Sequence, residues 1–315
     1  MKKLLITRQL PEANLATARA RYEVTVRSET VGLTVAEAKA ALAEYDAILV
    51  TLGDQFTAEA FTGEIRCGVL ANFGVGYNHI DADVAQKAGV AVSNTPDVVT
   101  DATADIGMTL ILSTCRRAGE GERLVRANKW TGWEPTQMLG THVTGKTVGI
   151  VGMGRIGQAV ARRCHYGFEM PILYFNRSQK TAEIPARQVE SLHDLMAHSD
   201  IIVVTVPGGG ANTALIDAAA LAAMKPTGIF VNIARGDVVD EPALIKALED
   251  GQIAGAGLDV FAKEPLVPDA FRALDNVVLL PHLGTAALEV REAMGQMALD
   301  NIFAWDDGRP LPQAV

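Results

Sequence analysis

The sequence predicts an α/β protein built from two doubly wound parallel-sheet domains. Three observations carry that reading. Short apolar runs alternate with helical patterns along most of the chain, which is the signature of βαβ units. The alternation is interrupted once, by a long helical pattern and a turn-rich stretch between residues 94 and 147. Beyond that interruption, the run Val148 to Val151 leads directly into Gly152-Met153-Gly154-Arg155-Ile156-Gly157 and then into a helical pattern. A strand, a GxGxxG turn and a helix in that order form a dinucleotide-binding unit.

Composition sets the outer bounds. A chain of 315 residues is long enough for two domains, each with its own core. At 49% hydrophobic residues it is a globular sequence, not a disordered one. The net charge of −9 argues against nucleic acid or an anionic membrane as a partner. Cys67, Cys115 and Cys164 lack metal-site spacing and suit a reducing compartment. The apolar run Leu4-Leu5-Ile6 ends at Arg8, so it reads as an opening strand rather than a signal peptide. No run has the length of a membrane span. The expectation is a cytoplasmic protein.

In chain order, the first strands are Leu4–Ile6, Tyr22–Val26, Ala47–Val50, Val69–Ala71 and Val90–Val92. Thr34 and Glu37 read as a capping box opening a helix over 34–43. Phe73-Gly74-Val75-Gly76-Tyr77 follows a strand, as a ligand-facing loop or a plain turn. Asn94-Thr95-Pro96-Asp97 is a turn and a candidate domain boundary. One long helix is expected from about residue 100 to about 128, followed by Trp130-Thr131-Gly132-Trp133-Glu134-Pro135. Six further strands are expected: 148–151, 172–175, 201–206, 228–232, 254–259 and 277–280. Helices over 156–163, 191–197, 218–224 and 241–250 connect them, and an amphipathic helix over 286–305 closes the chain.

In the glycine turn, Gly152 permits the sharp exit from the strand, and Gly154 lets a pyrophosphate approach the backbone. Gly157 lets the helix pack close, and the helix N-terminus offers N–H groups to the phosphates. Nicotinamide-binding units usually place an acid about 20 residues further on, against the ribose 2′-hydroxyl. Here Asn176-Arg177-Ser178 stand instead. A carboxylate would repel a 2′-phosphate, whereas Arg177 and Ser178 can bind one, so NADP(H) is favoured and NAD(H) stays open.

Three later strand ends carry further chemistry: Arg235 after 228–232, Asp259 and Glu264 after 254–259, and His282 after 277–280. Taken singly, these read as a surface arginine, loop charges and a satisfied histidine. Together, after a cofactor turn, they place an arginine, an acid and a histidine where ligands of such sheets bind.

These residues complete a pattern that resembles the D-isomer-specific 2-hydroxyacid dehydrogenases, and within them the NADPH-using glyoxylate/hydroxypyruvate reductases. It rests on Gly74-Val75-Gly76, Asn94-Thr95-Pro96, Asp101 to Asp105, the GxGxxG turn, Ala234-Arg235-Gly236, Asp259-Val260-Phe261 with Glu264-Pro265, and Pro281-His282. The resemblance implies two Rossmann-like domains with a cleft between them: a substrate-binding, flavodoxin-like one over 1–98 plus 286–315, and an NAD(P)-binding one over 99–285. It implies that Arg235 grips the carboxylate and carbonyl of a 2-keto acid, that Val75 and Gly76 bind the same carboxylate through their N–H groups, and that His282 exchanges the proton. Glu264 would orient His282, and Asp259 would hold the nicotinamide carboxamide. Further cofactor contacts would come from Thr103, Arg155, Ile156, Val206, Pro207, Ile233, Arg235, His282 and Gly284.

The resemblance also implies a homodimer, with Trp133 near the partner's active site, and no metal. Two alternatives share the pattern: an NAD(H)-dependent dehydrogenase for a bulkier 2-keto acid, and a non-catalytic, nicotinamide-sensing corepressor-like protein. Val206-Pro207-Gly208-Gly209-Gly210 departs from the family, which has polar residues after this proline, and is expected to be a flexible loop.

Overall fold

Residues 1–315 are described in the computed structural model, and they divide into two units, Met1–Val99 with Thr285–Val315, and Thr100–Gly284. The first unit runs β1 (Lys3–Ile6), α1 (Glu12–Arg19), β2 (Glu23–Val26), α2 (Val35–Glu44), β3 (Ala47–Val50), β4 (Val69–Asn72), α3 (Ala82–Lys87) and β5 (Ala91–Ser93). All five strands pair in parallel in the order β2-β1-β3-β4-β5, the flavodoxin-like winding. Every residue of β3 and β4 is buried, which is why these strands read as unbroken apolar runs instead of alternating ones. The C-terminal helix, Leu288–Asp306, returns to this unit and buries Leu299 and Ile302 with Leu49 and Ala71. The capping box is present: Thr34 Oγ1 accepts from the Glu37 N–H, and Glu37 Oε2 accepts from the Thr34 N–H.

The second unit opens with α4 (Thr100–Cys115) and α5 (Ala118–Arg126). It continues through β6 (Val148–Val151), α6 (Arg155–Phe168), β7 (Ile172–Phe175), β8 (Ala186–Gln188), α7 (Leu192–His198) and β9 (Ile201–Val204). Then come α8 (Ala218–Ala222), β10 (Ile229–Asn232), α9 (Glu241–Glu249), β11 (Gly255–Leu258), α10 (Asp269–Ala273) and β12 (Val277–Leu279). The parallel sheet has the order β12-β11-β10-β9-β6-β7-β8, the Rossmann order with one strand added at its far edge. Its two faces bury separate cores, one around Leu195 and Phe230 and the other around Ile111 and Val160.

Two expectations fail here. The single helix over 100–128 is two helices, because the Cys115 carbonyl accepts the Thr141 N–H and Arg117 turns left-handed, with φ of 52°. The sheet has seven strands rather than six. The unforeseen one, β8, is three residues long and reads Ala-Arg-Gln, so it carries no apolar run to announce it.

Candidate active site

Every proposed functional group of the second unit except Thr103 lies at or just beyond a strand's carboxyl end. The winding reverses between β6 and β9, and the glycine turn leaves β6 at that point. Gly152 is left-handed, with φ of 98°, and Val206 closes against it: a Cβ on Gly152 would meet Val206 Cγ1 at 2.7 Å. A Cβ on Gly157 would sit 2.2 Å from the Gly152 carbonyl oxygen, so only glycine allows α6 to start this close to the turn. Gly154, the N-cap of α6, faces open space, with no atom within 4 Å of an added Cβ. Arg155 and Ile156 open the helix, whose first-turn N–H groups face outward from its end. An anionic group can reach this backbone, so the chain's residues fit a dinucleotide pyrophosphate.

After β7, the Asn176 side chain donates to the Ser178 carbonyl at 2.8 Å. Gln188, on the unforeseen β8, donates to the Asn176 carbonyl at 2.8 Å. This pinned turn presents Arg177 and Ser178 to solvent, and no carboxylate lies within ion-pair distance of Arg177.

The Nδ1 of His282 lies 2.7 Å from Glu264 Oε2. The other carboxylate oxygen, Oε1, accepts the Phe261 N–H at 3.0 Å, which fixes the rotamer. About a quarter of each side chain is exposed. Burial pushes the Glu264 carboxyl up, but the His282 bond and charge, the Phe261 N–H and the Arg235 guanidinium together hold it below its ordinary value. Glu264 is therefore the ionised partner that requires a proton on Nδ1. No protein group bonds to His282 Nε2.

Asp259 builds the turn that carries this histidine. Its backbone carbonyl accepts the His282 N–H at 2.9 Å, and its two carboxylate oxygens take the N–H groups of Leu283 and Gly284 at 2.6 and 2.8 Å. Three bonds stabilise a backbone in which His282 itself is left-handed, with φ of 55°. Burial raises the Asp259 carboxyl, against the pull of those two N–H groups. The sequence motif offered no sign of this supporting role. Thr103, on α4, packs against Gly284, and Ile233 lies buried beneath the exit of β10. The Arg235 Nη1 donates to the Ala234 carbonyl at 2.6 Å. Burial lowers the guanidinium's affinity for its proton while Glu264 and Asp237 raise it, and an arginine keeps its charge throughout.

In the first unit, Asn72 and Asn94 shape the loop after β4. Asn72 Nδ2 donates to the carbonyls of Gly74 and Gly76 at 2.9 and 3.1 Å, and Asn94 Nδ2 donates to that of Val75 at 2.9 Å. A trans peptide points its N–H opposite its C=O. Tying down the Gly74 and Val75 carbonyls therefore turns the N–H groups of Val75 and Gly76 the other way, and no protein acceptor takes them. Of the remaining candidates, Pro207 is exposed after β9, and Trp133 is 78% exposed. No helix is long and apolar enough to cross a membrane, and no group of three or more His, Cys, Asp or Glu side chains could hold a metal ion.

Residues 108–284 match the family described as D-isomer specific 2-hydroxyacid dehydrogenase, NAD binding domain. The chain is 42% identical to a glyoxylate reductase of Thermococcus onnurineus, over 99% of this chain and 95% of that protein. It is 37% identical to a glycerate dehydrogenase of Hyphomicrobium methylovorum, over 100% and 99% of the two. Among solved structures, it is similar to an NADPH-dependent glyoxylate/hydroxypyruvate reductase from Sinorhizobium meliloti in complex with NADP and malonate. That match has a TM-score of 0.89 and 32% identity, and covers 100% of this chain and 96% of the other.

Proposed function

The chain belongs to the D-isomer-specific 2-hydroxyacid dehydrogenase family, and from that premise we propose that it reduces a small 2-keto acid, glyoxylate or hydroxypyruvate, to the D-2-hydroxy acid with NADPH. The observation that carries the reading is the 2.7 Å bond between His282 Nδ1 and ionised Glu264, with Nε2 unengaged. When bound, the reduced nicotinamide supplies the hydride. The residues of the chain do the rest. Arg235 grips the substrate carboxylate and polarises the carbonyl oxygen. His282 delivers its Nε2 proton to that oxygen as the alcohol forms, and Glu264 steadies the imidazolium from the other side. In the reverse direction His282 accepts the proton. One 2-keto acid, one NADPH and one proton give one 2-hydroxy acid and NADP⁺.

The preference for NADP(H) is supported by the exposed, carboxylate-free Arg177 and by Asn176 where an acid would repel the 2′-phosphate. We assign cofactor binding to the second unit and substrate-carboxylate binding through Val75 and Gly76 to the first, with a cytoplasmic setting for the three unpaired thiols. The exposed Trp130 and Trp133 are assigned to a homodimer contact. The test is a steady-state panel of glyoxylate, hydroxypyruvate, pyruvate and bulkier 2-keto acids with each cofactor. The two small acids with NADPH are expected to give the highest kcat/KM. A bulkier acid with NADH in first place would replace this reading with the alternative one.

A further inference from the structure

The turn from Arg235 to Glu241 touches the loops on both sides of it. On one side, the Asp237 Oδ2 accepts the Gly209 N–H at 2.7 Å, and its backbone carbonyl accepts the Ala214 N–H at 2.8 Å. The glycine-rich segment 208–210 is thereby tied at its middle residue, and the loop is tied again at Ala214, four residues past the segment. It lies flat on its neighbour: a Cβ on Gly208 would come within 2.6 Å of Asp237 Oδ1, and within 2.8 and 2.9 Å of Arg235 Cγ and Cβ. The Gly208 backbone is thus a wall against the stem of Arg235, and the glycine serves close packing instead of the flexibility its composition suggests.

On the other side, the Phe261–Ala262 peptide rests on Gly236, where a Cβ would fall 1.9 Å from the Phe261 carbonyl carbon. The Glu241 Oε1 accepts the Ala262 N–H at 2.8 Å. This loop then presents Glu264 to His282. Glu241 is not needed to cap α9, because Asp240 accepts the Ala243 N–H as its N-cap.

We propose that Asp237 and Glu241 are positioning residues with separate tasks: Asp237 fixes the Arg235 stem through the 208–210 segment, and Glu241 fixes the Glu264–His282 pair through the 261–264 loop. The inference rests on the function proposed above. Arg235 grips the substrate carboxylate and also polarises the carbonyl, so loosening it raises KM more than it lowers kcat. The Glu264–His282 pair moves the proton, so loosening it lowers kcat.

The experiment is steady-state kinetics on the full chain with hydroxypyruvate and NADPH, alongside melting curves. Asp237→Ala should raise the keto-acid KM about ten- to a hundredfold with a smaller fall in kcat. Asp237→Asn should restore KM, because its amide oxygen still accepts the Gly209 N–H. Glu241→Ala should lower kcat about tenfold at a near-constant KM, and Glu241→Gln should restore it. Gly208→Ala, which presses a methyl group onto Arg235, and Glu241→Met, which keeps the side-chain length, carry the two arms if an alanine variant does not fold. Wild-type KM and kcat in Asp237→Ala and Glu241→Ala would overturn the proposal alone. So would losses that track melting temperature and are not rescued by Asn or Gln. A wild-type protein with no turnover on any 2-keto acid would instead remove the underlying function, and this inference with it.

Discussion

Glu264 and His282 share one hydrogen bond, and the groups around Glu264 keep its carboxyl ionised. Burial is the largest single influence and raises the folded-state carboxyl, but the bond and charge of His282, the Phe261 N–H and the Arg235 guanidinium together hold it below its ordinary value of 4.5. A depressed carboxyl stabilises the fold above its ordinary value, and that contribution is lost as pH falls through the folded one. The stability gap between wild type and Glu264→Gln should therefore be full at neutral pH and shrink below about pH 4.5, as read by urea unfolding at several pH values. A gap that stays constant into acid would mean that Glu264 is not the charged partner. Arg177 carries the second residue-scale prediction. Arg177→Asp should lower kcat/KM for NADPH relative to NADH by about tenfold or more, because a carboxylate then faces the 2′-phosphate. An unchanged ratio would remove the phosphate role. The placement of Arg235, Glu264 and His282 beyond successive strand ends could be read from sequence, because each lies within a few residues of the end of an apolar run. The tasks of Asp237, Glu241 and Gln188 could not, since their partners are backbone groups from segments that meet only in the fold.

At the scale of elements, the same physics explains what was legible and what was not. β3, β4, β6 and β9 are buried throughout and announce themselves as apolar runs. β8, at the sheet edge, has no buried residue and stayed invisible. The break between α4 and α5 was hidden because it depends on Thr141, distant in sequence, taking the Cys115 carbonyl. The glycine turn of β6 and α6 supports a paired prediction. Gly157→Ala drives a methyl group into the Gly152 carbonyl and should lower stability by about 1–3 kcal/mol in denaturant unfolding. Gly154→Ala adds a methyl group in open space, so it should leave stability nearly unchanged and weaken NADPH binding measured by fluorescence titration. Tight cofactor binding in Gly154→Ala would show that the pyrophosphate does not rest there.

For the whole molecule, two parallel sheets of different winding divide the labour proposed for them. The flavodoxin-like sheet presents Val75 and Gly76 from a loop shaped by two asparagines, and the Rossmann sheet carries the glycine turn and the Arg235, Glu264 and His282 set. Exposed Trp130 and Trp133 follow α5, none of whose residues is buried within the chain. Light scattering should therefore give twice the chain mass, and Trp130→Ala with Trp133→Ala should shift the protein toward the monomer. A monomeric wild type would end the dimer assignment. In the proposed reaction His282 protonates a 2-keto acid as NADPH reduces it to the D-alcohol. The most direct measurement follows NADPH consumption with hydroxypyruvate and analyses the glycerate formed on a chiral column, for wild type and His282→Ala. The wild type should form one D-glycerate per NADPH, and His282→Ala should lose about 10²–10⁴ in kcat with NADPH affinity retained. L-glycerate, or wild-type turnover in His282→Ala, would contradict that reaction.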